Sequence, residues 1–335
     1  MLSRSVKVAA VQAEPVWGDL AGGIEKTVSL IDEAGSNGAE VVGFPETFLP
    51  GYPWQIWLDS PAANMGFVPG YMMNSPTVDD LQPVADAARR NEITVMLGYS
   101  ESRGGSLYMS QAIFGPDGKL VFNRTKLKPT HVERSVFGEG DGSDLDVVEM
   151  EYGNIGALCC WEHLQPLSKY AMYSMDEDIH CASWPSFSVY KGAANALGAE
   201  VNNAASLMYA VEGSNFVIAP CAIVGQAGHD FFCDTDAKKQ MLQIGGGFAR
   251  IYGPDGSSLA EPIPEDQEGI LYADCEPALQ MISKSVADPT GHYSRPDVTS
   301  LLFNQNAQPA VTNQDPEAAQ PAEHVVDLSS ELEGA

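Results

Sequence analysis

The sequence predicts an α/β fold in which short buried strands alternate with helices. Short apolar runs bounded by turn residues recur along the chain, as buried strands do. Between several of these runs, apolar residues repeat at helical spacing, as at Leu20, Ile24, Val28 and Ile31. The turn sequence Gly-Pro-Asp-Gly occurs at 115–118 and again at 253–256. Its recurrence indicates two similar halves, although chance is the alternative because this is a favoured turn sequence.

The first half is predicted to hold two helices, five strands and one long loop. The first helix begins at Leu20 and ends at Gly38, and the second contains Leu81, Val84 and Ala88. The segment 49–73 is rich in Pro, Gly, Trp and Tyr, so we expect an ordered loop that carries aromatic surface. The predicted strands are 6–12, 41–44, 93–99, 108–114 and 120–122.

The second half repeats this pattern and ends in a polar tail. Helices are predicted at 167–175 and 197–211, and the segment 226–241 reads as polar and irregular. The predicted strands are 155–159, 179–184, 216–220 and 269–273. From residue 304 the chain is rich in Gln, Asn, Ala, Pro, Glu and Asp with few aromatic residues. This composition predicts a disordered acidic tail at 304–335.

The composition excludes several classes of protein. The net charge of −27 over 335 residues disfavours nucleic acid and anionic membranes as partners, because binding to phosphates depends on Lys and Arg. No apolar run approaches the roughly 18 residues of a membrane-spanning helix, and the N-terminal segment does not resemble a cleavable signal. The six cysteines show no CxxC spacing. We therefore expect a cytoplasmic protein with reduced thiols.

The segment 154–166 contains the candidate nucleophile. An apolar strand ends there at two adjacent cysteines and enters a turn, where a thiol can project into a cleft beside free backbone N–H groups. Adjacent strand residues face opposite sides of a sheet, so only one thiol can face the cleft. Cys160, nearer the turn, is the candidate and Cys159 is predicted to pack on the other face. The alternative is that both are core thiols.

A thiol nucleophile needs an activating group, and several candidates are present. Glu46 directly follows a predicted strand, and the carboxyl ends of strands are where sites form in α/β folds. Lys126 and Glu133 lie in the charged segment 124–142. A carboxylate that takes the thiol proton and an ammonium that stabilises developing charge would complete a triad with Cys160. Spacing alone leaves Lys128 open as the lysine of this triad.

Several motifs closely resemble the nitrilase branch of the carbon–nitrogen hydrolase superfamily. The match covers 6–303 with all motifs in order, and they are Phe44-Pro-Glu-Thr-Phe, Arg124-Thr-Lys-Leu-Lys-Pro-Thr-His-Val-Glu-Arg, Phe137-Gly-Glu-Gly-Asp-Gly, Cys160-Trp-Glu-His-Leu-Gln-Pro-Leu, Trp184-Pro-Ser-Phe and Asp288-Pro-Thr-Gly-His-Tyr-Ser-Arg-Pro-Asp. The resemblance implies one domain at 1–303 with an αββα sandwich fold. It further implies homodimers of the form αββα–αββα that assemble into larger oligomers or spiral filaments.

The resemblance also assigns roles to residues. Glu46 would be the general base, Cys160 the nucleophile and Lys126, rather than Lys128, the charge stabiliser. Glu133 matches an additional glutamate that supports the lysine. A thiol at position 159 departs from many relatives, which often carry a residue such as Asn there.

The implied reaction is hydrolysis of a nitrile to a carboxylic acid and ammonia, with no metal or organic cofactor. Cyanide dihydration and amide hydrolysis by the same triad are alternatives, and a catalytically silent filament protein is an alternative of another class. The aromatic residues of the segment 49–73 favour aryl or arylaliphatic nitriles. We expect the substrate to contact Tyr52, Trp54, Trp161, His163 and Trp184.

Overall fold

Two β-sheets form the centre of the protein. The computed structural model describes residues 1–311. The first sheet contains β1 Val6–Ala13, β2 Val41–Gly43, β3 Thr94–Arg103, β4 Ser106–Phe114, β5 Leu120–Thr125, β6 Phe137–Gly138, β11 Cys221–Ala222 and β13 Gly269–Cys275. The second contains β7 Val148–Met150, β8 Gly153–Cys159, β9 Ile179–Ser183, β10 Phe216–Ala219 and β12 Arg250–Tyr252.

Helices lie between these strands in the chain. They are α1 Leu20–Ser36, α2 Gln55–Leu58, α3 Pro61–Met73, α4 Gln82–Asn91, α5 Pro166–Tyr173, α6 Ala199–Gly213, α7 Gln226–Phe232, α8 Asp236–Met241 and α9 Pro277–Val286. Local sequence explains their boundaries. The Asp19 side chain accepts a hydrogen bond from the N–H of Gly22 and caps α1, and Pro61 occupies the first turn of α3.

Parallel pairing dominates where chain crossovers connect the strands. β1 pairs parallel to β2, and β2 pairs parallel to β3, while β3, β4 and β5 form an antiparallel meander. In the second sheet, β8, β9 and β10 are parallel and β7 and β12 are antiparallel edge strands. β13 pairs antiparallel with β1 along Val6 to Gln12 and completes the first sheet.

The two sheets pack face to face between two layers of helices. Ala9 and Val11 of β1 lie in one core with side chains of α1 and α4. Val8 and Ala10 point the other way, into the core that contains the second sheet. Gly43 of β2 faces the sulfur of Cys181 on β9, whereas Gly156 of β8 faces α5. The layer order is therefore helix, sheet, sheet, helix, which confirms the expected αββα sandwich.

The repeated turn sequences adopt the same conformation. In each turn the last glycine has a positive φ, 78° at Gly118 and 82° at Gly256, and its N–H bonds to the carbonyl of the first glycine. The first turn joins β4 to β5 in one sheet, and the second follows β12 in the other. Each half of the chain therefore contains one such hairpin turn, although the halves do not separate by sheet, since β11 and β13 of the second half join the first sheet.

Some predicted segments differ in the structure. The segment 49–73 is not a loop, because α2 and α3 occupy most of it, with Pro69 inside α3. The segment 226–241 is not irregular either, since it forms α7 and α8. Helix α9 was not predicted. Residues 304–311 are exposed and form neither helix nor strand, and the rest of the predicted acidic tail lies outside the described residues. Within residues 1–311, no helix is long and apolar enough to cross a membrane.

Candidate active site

The candidate residues converge where strands of both sheets end. Glu46 follows β2 by three residues, Lys126 directly follows β5, and Cys160 directly follows β8. Lys126 and Glu46 are fully buried, and Cys160 is 8% exposed. The N–H of Glu46 donates a 3.3 Å hydrogen bond to the carbonyl of Trp184, which follows β9. One backbone contact thus joins the two sheets beside the candidate nucleophile.

The Lys126 ammonium lies between two buried carboxylates. Its Nζ is 2.8 Å from Glu46 Oε1 and 2.8 Å from Glu133 Oε2. Burial opposes the positive charge, but the two carboxylates outweigh it and raise the pKa of Lys126 well above its ordinary value. The lysine is therefore charged throughout the physiological pH range. An ammonium held in this way can stabilise negative charge that develops on a neighbouring atom.

Glu46 has the properties of a general base. Burial, partly offset by Lys126, raises the pKa of its carboxyl to about 8. Its Oε1 accepts from Lys126, and within the described residues its Oε2 has no hydrogen-bond partner. A buried carboxyl with one unpaired oxygen and a pKa near neutrality can take up and return a proton.

Glu133 is fixed by groups from two segments. The N–H of Thr130 donates to Oε2 at 2.5 Å, and the Tyr52 hydroxyl donates to Oε1 at 2.7 Å. Trp57 Nε1 donates in turn to the Tyr52 oxygen at 2.9 Å. With Lys126 added, both oxygens of Glu133 are occupied, so this carboxylate is suited to orienting the lysine rather than to moving protons.

Cys160 has an unusual backbone conformation. Its φ is +47°, in the left-handed region, which costs a non-glycine residue about 1–2 kcal/mol. It begins the short 3₁₀ helix Cys160–Leu164, and the N–H of Trp161 faces its sulfur. Burial and Glu46 raise the pKa of the Cys160 thiol well above its ordinary value, although Lys126 opposes them. The resting group is therefore a thiol that needs a base.

A small aromatic cavity of about 40 Å³ lies against Cys160 and Glu133. Four of the residues predicted to contact the substrate line it, namely Tyr52, Trp54, Trp161 and Trp184. Sequence reasoning did not place the other lining residues in a substrate pocket, and they include Trp57, Thr130, Phe187, Val189, Leu197 and Asn202. Thr130 and Phe187 lie inside quoted motifs, whereas no motif covers Val189, Leu197 or Asn202.

The structure does not place His163, the fifth predicted substrate contact, in the cavity lining. The 3₁₀ turn carries its side chain back beneath Cys160, where Nδ1 lies 2.7 Å from the Cys160 carbonyl oxygen. The other ring nitrogen, Nε2, lies 2.9 Å from Nε2 of His180. His163 is buried and is not among the lining residues of the cavity; its ring packs against Trp184, with centroids 5.3 Å apart.

A buried ion pair fixes the segments that carry Lys126 and Cys160. Arg124 donates to both oxygens of Glu162, at 2.8 and 3.0 Å, and Arg124 lowers the pKa of this carboxyl against the effect of burial. The same carboxylate accepts from the N–H of Cys159 at 2.7 Å and from the N–H of Leu127 at 2.9 Å. Glu162 therefore holds the neighbours of both candidate catalytic residues. Sequence reasoning missed this role, although both residues lie inside the quoted motifs.

The structure distinguishes Lys126 from Lys128, which sequence spacing did not. The chain bends at Leu127 and Lys128, directly after β5. As a result, Lys128 points into solvent and pairs with the exposed Glu139. Only Lys126 reaches the buried carboxylates.

These groups can perform nucleophilic addition to an electrophilic carbon. A thiol, a carboxyl that can accept its proton and a permanently charged ammonium meet beside a small cavity from which bulk water is largely excluded. Within residues 1–311, no group of three His, Cys, Asp or Glu side chains is arranged to hold a metal ion.

Residues 7–280 match the sequence profile of the carbon–nitrogen hydrolase family. The chain belongs to this family. It is 54% identical over 314 residues to a nitrilase from Pseudomonas syringae pv. syringae, covering 93% of this chain and 94% of that protein. It is also 54% identical over 306 residues to an aliphatic nitrilase from Rhodococcus rhodochrous, covering 90% of this chain and 84% of that protein. These identities place the chain in the nitrilase branch of the family.

The fold is shared with solved members of the family. A carbon–nitrogen hydrolase from Helicobacter pylori G27 superposes with a TM-score of 0.70, covering 88% of this chain and 96% of that chain. The identity between the two is 18%. The αββα architecture is therefore retained although most residues differ.

Proposed function

We propose that this protein is a nitrilase that hydrolyses a nitrile to the carboxylic acid and ammonia. The observation that carries the proposal is the contact of Lys126 with Glu46 and Glu133 beside the cavity that Cys160 lines. The identity to proteins named nitrilase supports the choice of a nitrile as substrate.

In the first half of the reaction, Glu46 takes the thiol proton and the Cys160 sulfur bonds to the nitrile carbon. The nitrile nitrogen receives the proton, which gives a covalent thioimidate. Lys126 and the N–H of Trp161 lie near the sulfur and stabilise the charge that develops during addition.

In the second half, two water molecules are consumed. The first adds to the thioimidate carbon with Glu46 as base, and ammonia leaves with a proton returned by Glu46, giving a thioester. The second water adds to the thioester, the carboxylic acid leaves, and the Cys160 thiol regains its proton. The balance is one nitrile and two waters to one acid and one ammonia.

The lining of the cavity supports aryl or arylaliphatic nitriles as substrates. Tyr52, Trp54, Trp57 and Trp184 present aromatic side chains around the Cys160 thiol, and aromatic rings pack well against other rings. The relative named aliphatic nitrilase makes short aliphatic nitriles the competing class.

The family resemblance implies that two copies pair across helices, and we further infer that these helices are α5 and α6. These helices form an outer layer of the sandwich, and they expose apolar side chains that include Leu167 and Met208. Apolar groups of this kind are often covered in an oligomer.

The experiment is a turnover screen that measures ammonia and acid separately. Benzonitrile, phenylacetonitrile, a short aliphatic nitrile, cyanide and phenylacetamide should be offered to the full-length protein and to Cys160→Ala. We expect equal amounts of acid and ammonia from the nitriles, fastest with phenylacetonitrile, and none with the variant. Turnover of the amide alone, or of cyanide alone, would contradict the proposal.

A further inference from the structure

A continuous chain of buried side chains leads away from the back of Cys160. Its carbonyl oxygen lies 2.7 Å from His163 Nδ1, and His163 Nε2 lies 2.9 Å from His180 Nε2. His180 Nδ1 lies 2.6 Å from Glu177 Oε1. All three side chains are buried, and they are absent from the lining of the cavity at Cys160. This row of three side chains therefore contacts the backbone of the nucleophile and not the substrate.

The hydrogen-bond directions along this chain are constrained at both ends. A carbonyl oxygen only accepts, so His163 Nδ1 must carry the hydrogen at the Cys160 end. In a neutral His163 the other nitrogen, Nε2, then accepts, and His180 Nε2 must donate to it. His180 Nδ1 is consequently an acceptor if this ring is also neutral, and the donor has to be Glu177.

Glu177 is arranged to be that donor. Its Oε2 accepts from the Tyr209 hydroxyl at 2.7 Å and from Asn215 Nδ2 at 3.0 Å, which leaves Oε1 to carry a hydrogen. Gly156 of β8 lies beneath this oxygen, and a Cβ there would come within 2.1 Å of it. The carboxyl group is thus enclosed by Gly156, which has no side chain, by the donors of Tyr209 and Asn215, and by the His180 imidazole.

We propose that Glu177, His180 and His163 are positioning residues that share one proton, and that this proton holds the Cys160 carbonyl and therefore the nucleophile's backbone in its reactive conformation. The inference rests on the proposed function, in which Cys160 is the nucleophile. If the proton is lost, Glu177 becomes an acceptor, the donor directions reverse, and His163 Nδ1 loses the hydrogen that it gives to Cys160.

Among residues 1–311, the surroundings supply no unpaired cation that would replace the proton. Arg124 is paired with Glu162, and Lys169 is paired with Glu212. The other titratable groups that face the chain are acidic or phenolic, namely Asp178, Tyr173 and Tyr209. Burial raises the pKa of Glu177 to about 8, and burial lowers the pKa of both histidines well below their ordinary value. The proton is therefore held on Glu177 and not on an imidazole.

Glu177→Gln tests the donor assignment. The amide is close in shape to a protonated carboxyl: its oxygen can accept from Tyr209 and Asn215, and its NH₂ can donate permanently to His180. We expect this variant to keep wild-type kcat at pH 7. We also expect wild-type kcat to decline above pH 8 as Glu177 loses its proton, and we expect this decline to begin about one pH unit or more higher in the variant, with KM unchanged. Glu212→Gln, a carboxyl-to-amide change at the neighbouring Lys169 pair, should leave the profile unchanged.

The second test is at His163. Asn carries an amide near the position of Nδ1, so His163→Asn should retain most of kcat, whereas His163→Leu has no donor and should lose about tenfold or more. Loss of activity in Glu177→Gln, or an unchanged alkaline decline, would overturn the inference even if His163→Leu does not fold. A wild-type enzyme that hydrolyses no nitrile would instead overturn the proposed function.

Discussion

At the scale of single residues, the two adjacent thiols differ in surroundings rather than in burial. Cys160 lines the cavity, whereas Cys159 does not, and the Cys159 N–H is held by Glu162. We expect Cys160→Ala to abolish acid formation in a folded protein. Cys159→Ala should keep most of the wild-type kcat, because the change leaves its backbone contact intact. The check is ammonia release together with circular dichroism, and a folded but inactive Cys159→Ala would reverse the assignment.

The paired lysines allow a matched comparison. Lys126 is buried between Glu46 and Glu133, while Lys128 is exposed. Lys126→Ala should lower kcat by about a hundredfold or more, the scale for removing one charge-stabilising donor. Lys126→Arg should recover little, because a planar guanidinium does not replace a compact ammonium between two carboxylates.

Lys128→Ala serves as the control for these variants. An exposed ion pair contributes little, so its kcat and melting temperature should stay close to wild type. Equal and severe losses at both positions in folded protein would show that the exposed lysine takes part in the reaction.

The residue types of the candidate triad could be predicted from the sequence, but their surroundings could not. The positions of Cys160 at the end of a strand and of Glu46 after another strand made them candidates, and the family resemblance assigned their roles. Spacing did not separate Lys126 from Lys128, because a bend after β5 directs only one of them inward. His163 was misplaced because its direction depends on the tight 3₁₀ turn that begins at Cys160.

At the scale of secondary-structure elements, the Arg124–Glu162 pair joins the end of β5 to the turn after β8. Glu162→Ala would leave the Arg124 guanidinium buried without its carboxylate and would remove two backbone hydrogen bonds. We expect a loss of about 3–5 kcal/mol in the free energy of unfolding, as for other broken buried pairs. Urea denaturation measures this loss.

Glu212→Ala is the control for that experiment. Glu212 is 40% exposed, so solvent screens this pair and a smaller loss than that of Glu162→Ala is expected, even though Lys169 is largely buried. Similar losses in the two variants would contradict the assigned difference between the pairs.

The elements that sequence reasoning missed have a common physical cause. Helix α3 contains Gly66, Pro69 and Gly70, which disfavour helix in isolation, yet Phe67 and Tyr71 pack into an aromatic cluster that holds it. Helices α7 and α8 are short, and Phe232 of α7 and Met241 of α8 pack against the same cluster. Strands and long periodic helices were predictable because their apolar pattern is local. These short helices depend on packing against distant segments.

At the scale of the whole molecule, the proposed dimer across α5 and α6 should dissociate when one negative charge is introduced on that face. Leu167 is 69% exposed, so Leu167→Asp costs the monomer little but would bury a carboxylate in a dimer. We expect light scattering after size exclusion to show a shift from dimer to monomer. Met65→Asp on α3 is the matched control, since Met65 is 76% exposed on a helix outside this face. An unchanged particle size in Leu167→Asp would contradict the pairing.

The pairing of β1 with β13 has a consequence for synthesis of the chain. β1 contains residues 6–13, but its antiparallel partner does not begin until Gly269, and the Gln12 amide bonds to the carbonyls of Pro264 and Gln267. A ribosome adds about 5–20 residues per second, so this edge stays open for on the order of tens of seconds. The growing polypeptide therefore presents one unpaired edge of an apolar strand until residues 269–275 have been made, and during that interval this edge is a chaperone-binding site that the folded domain lacks.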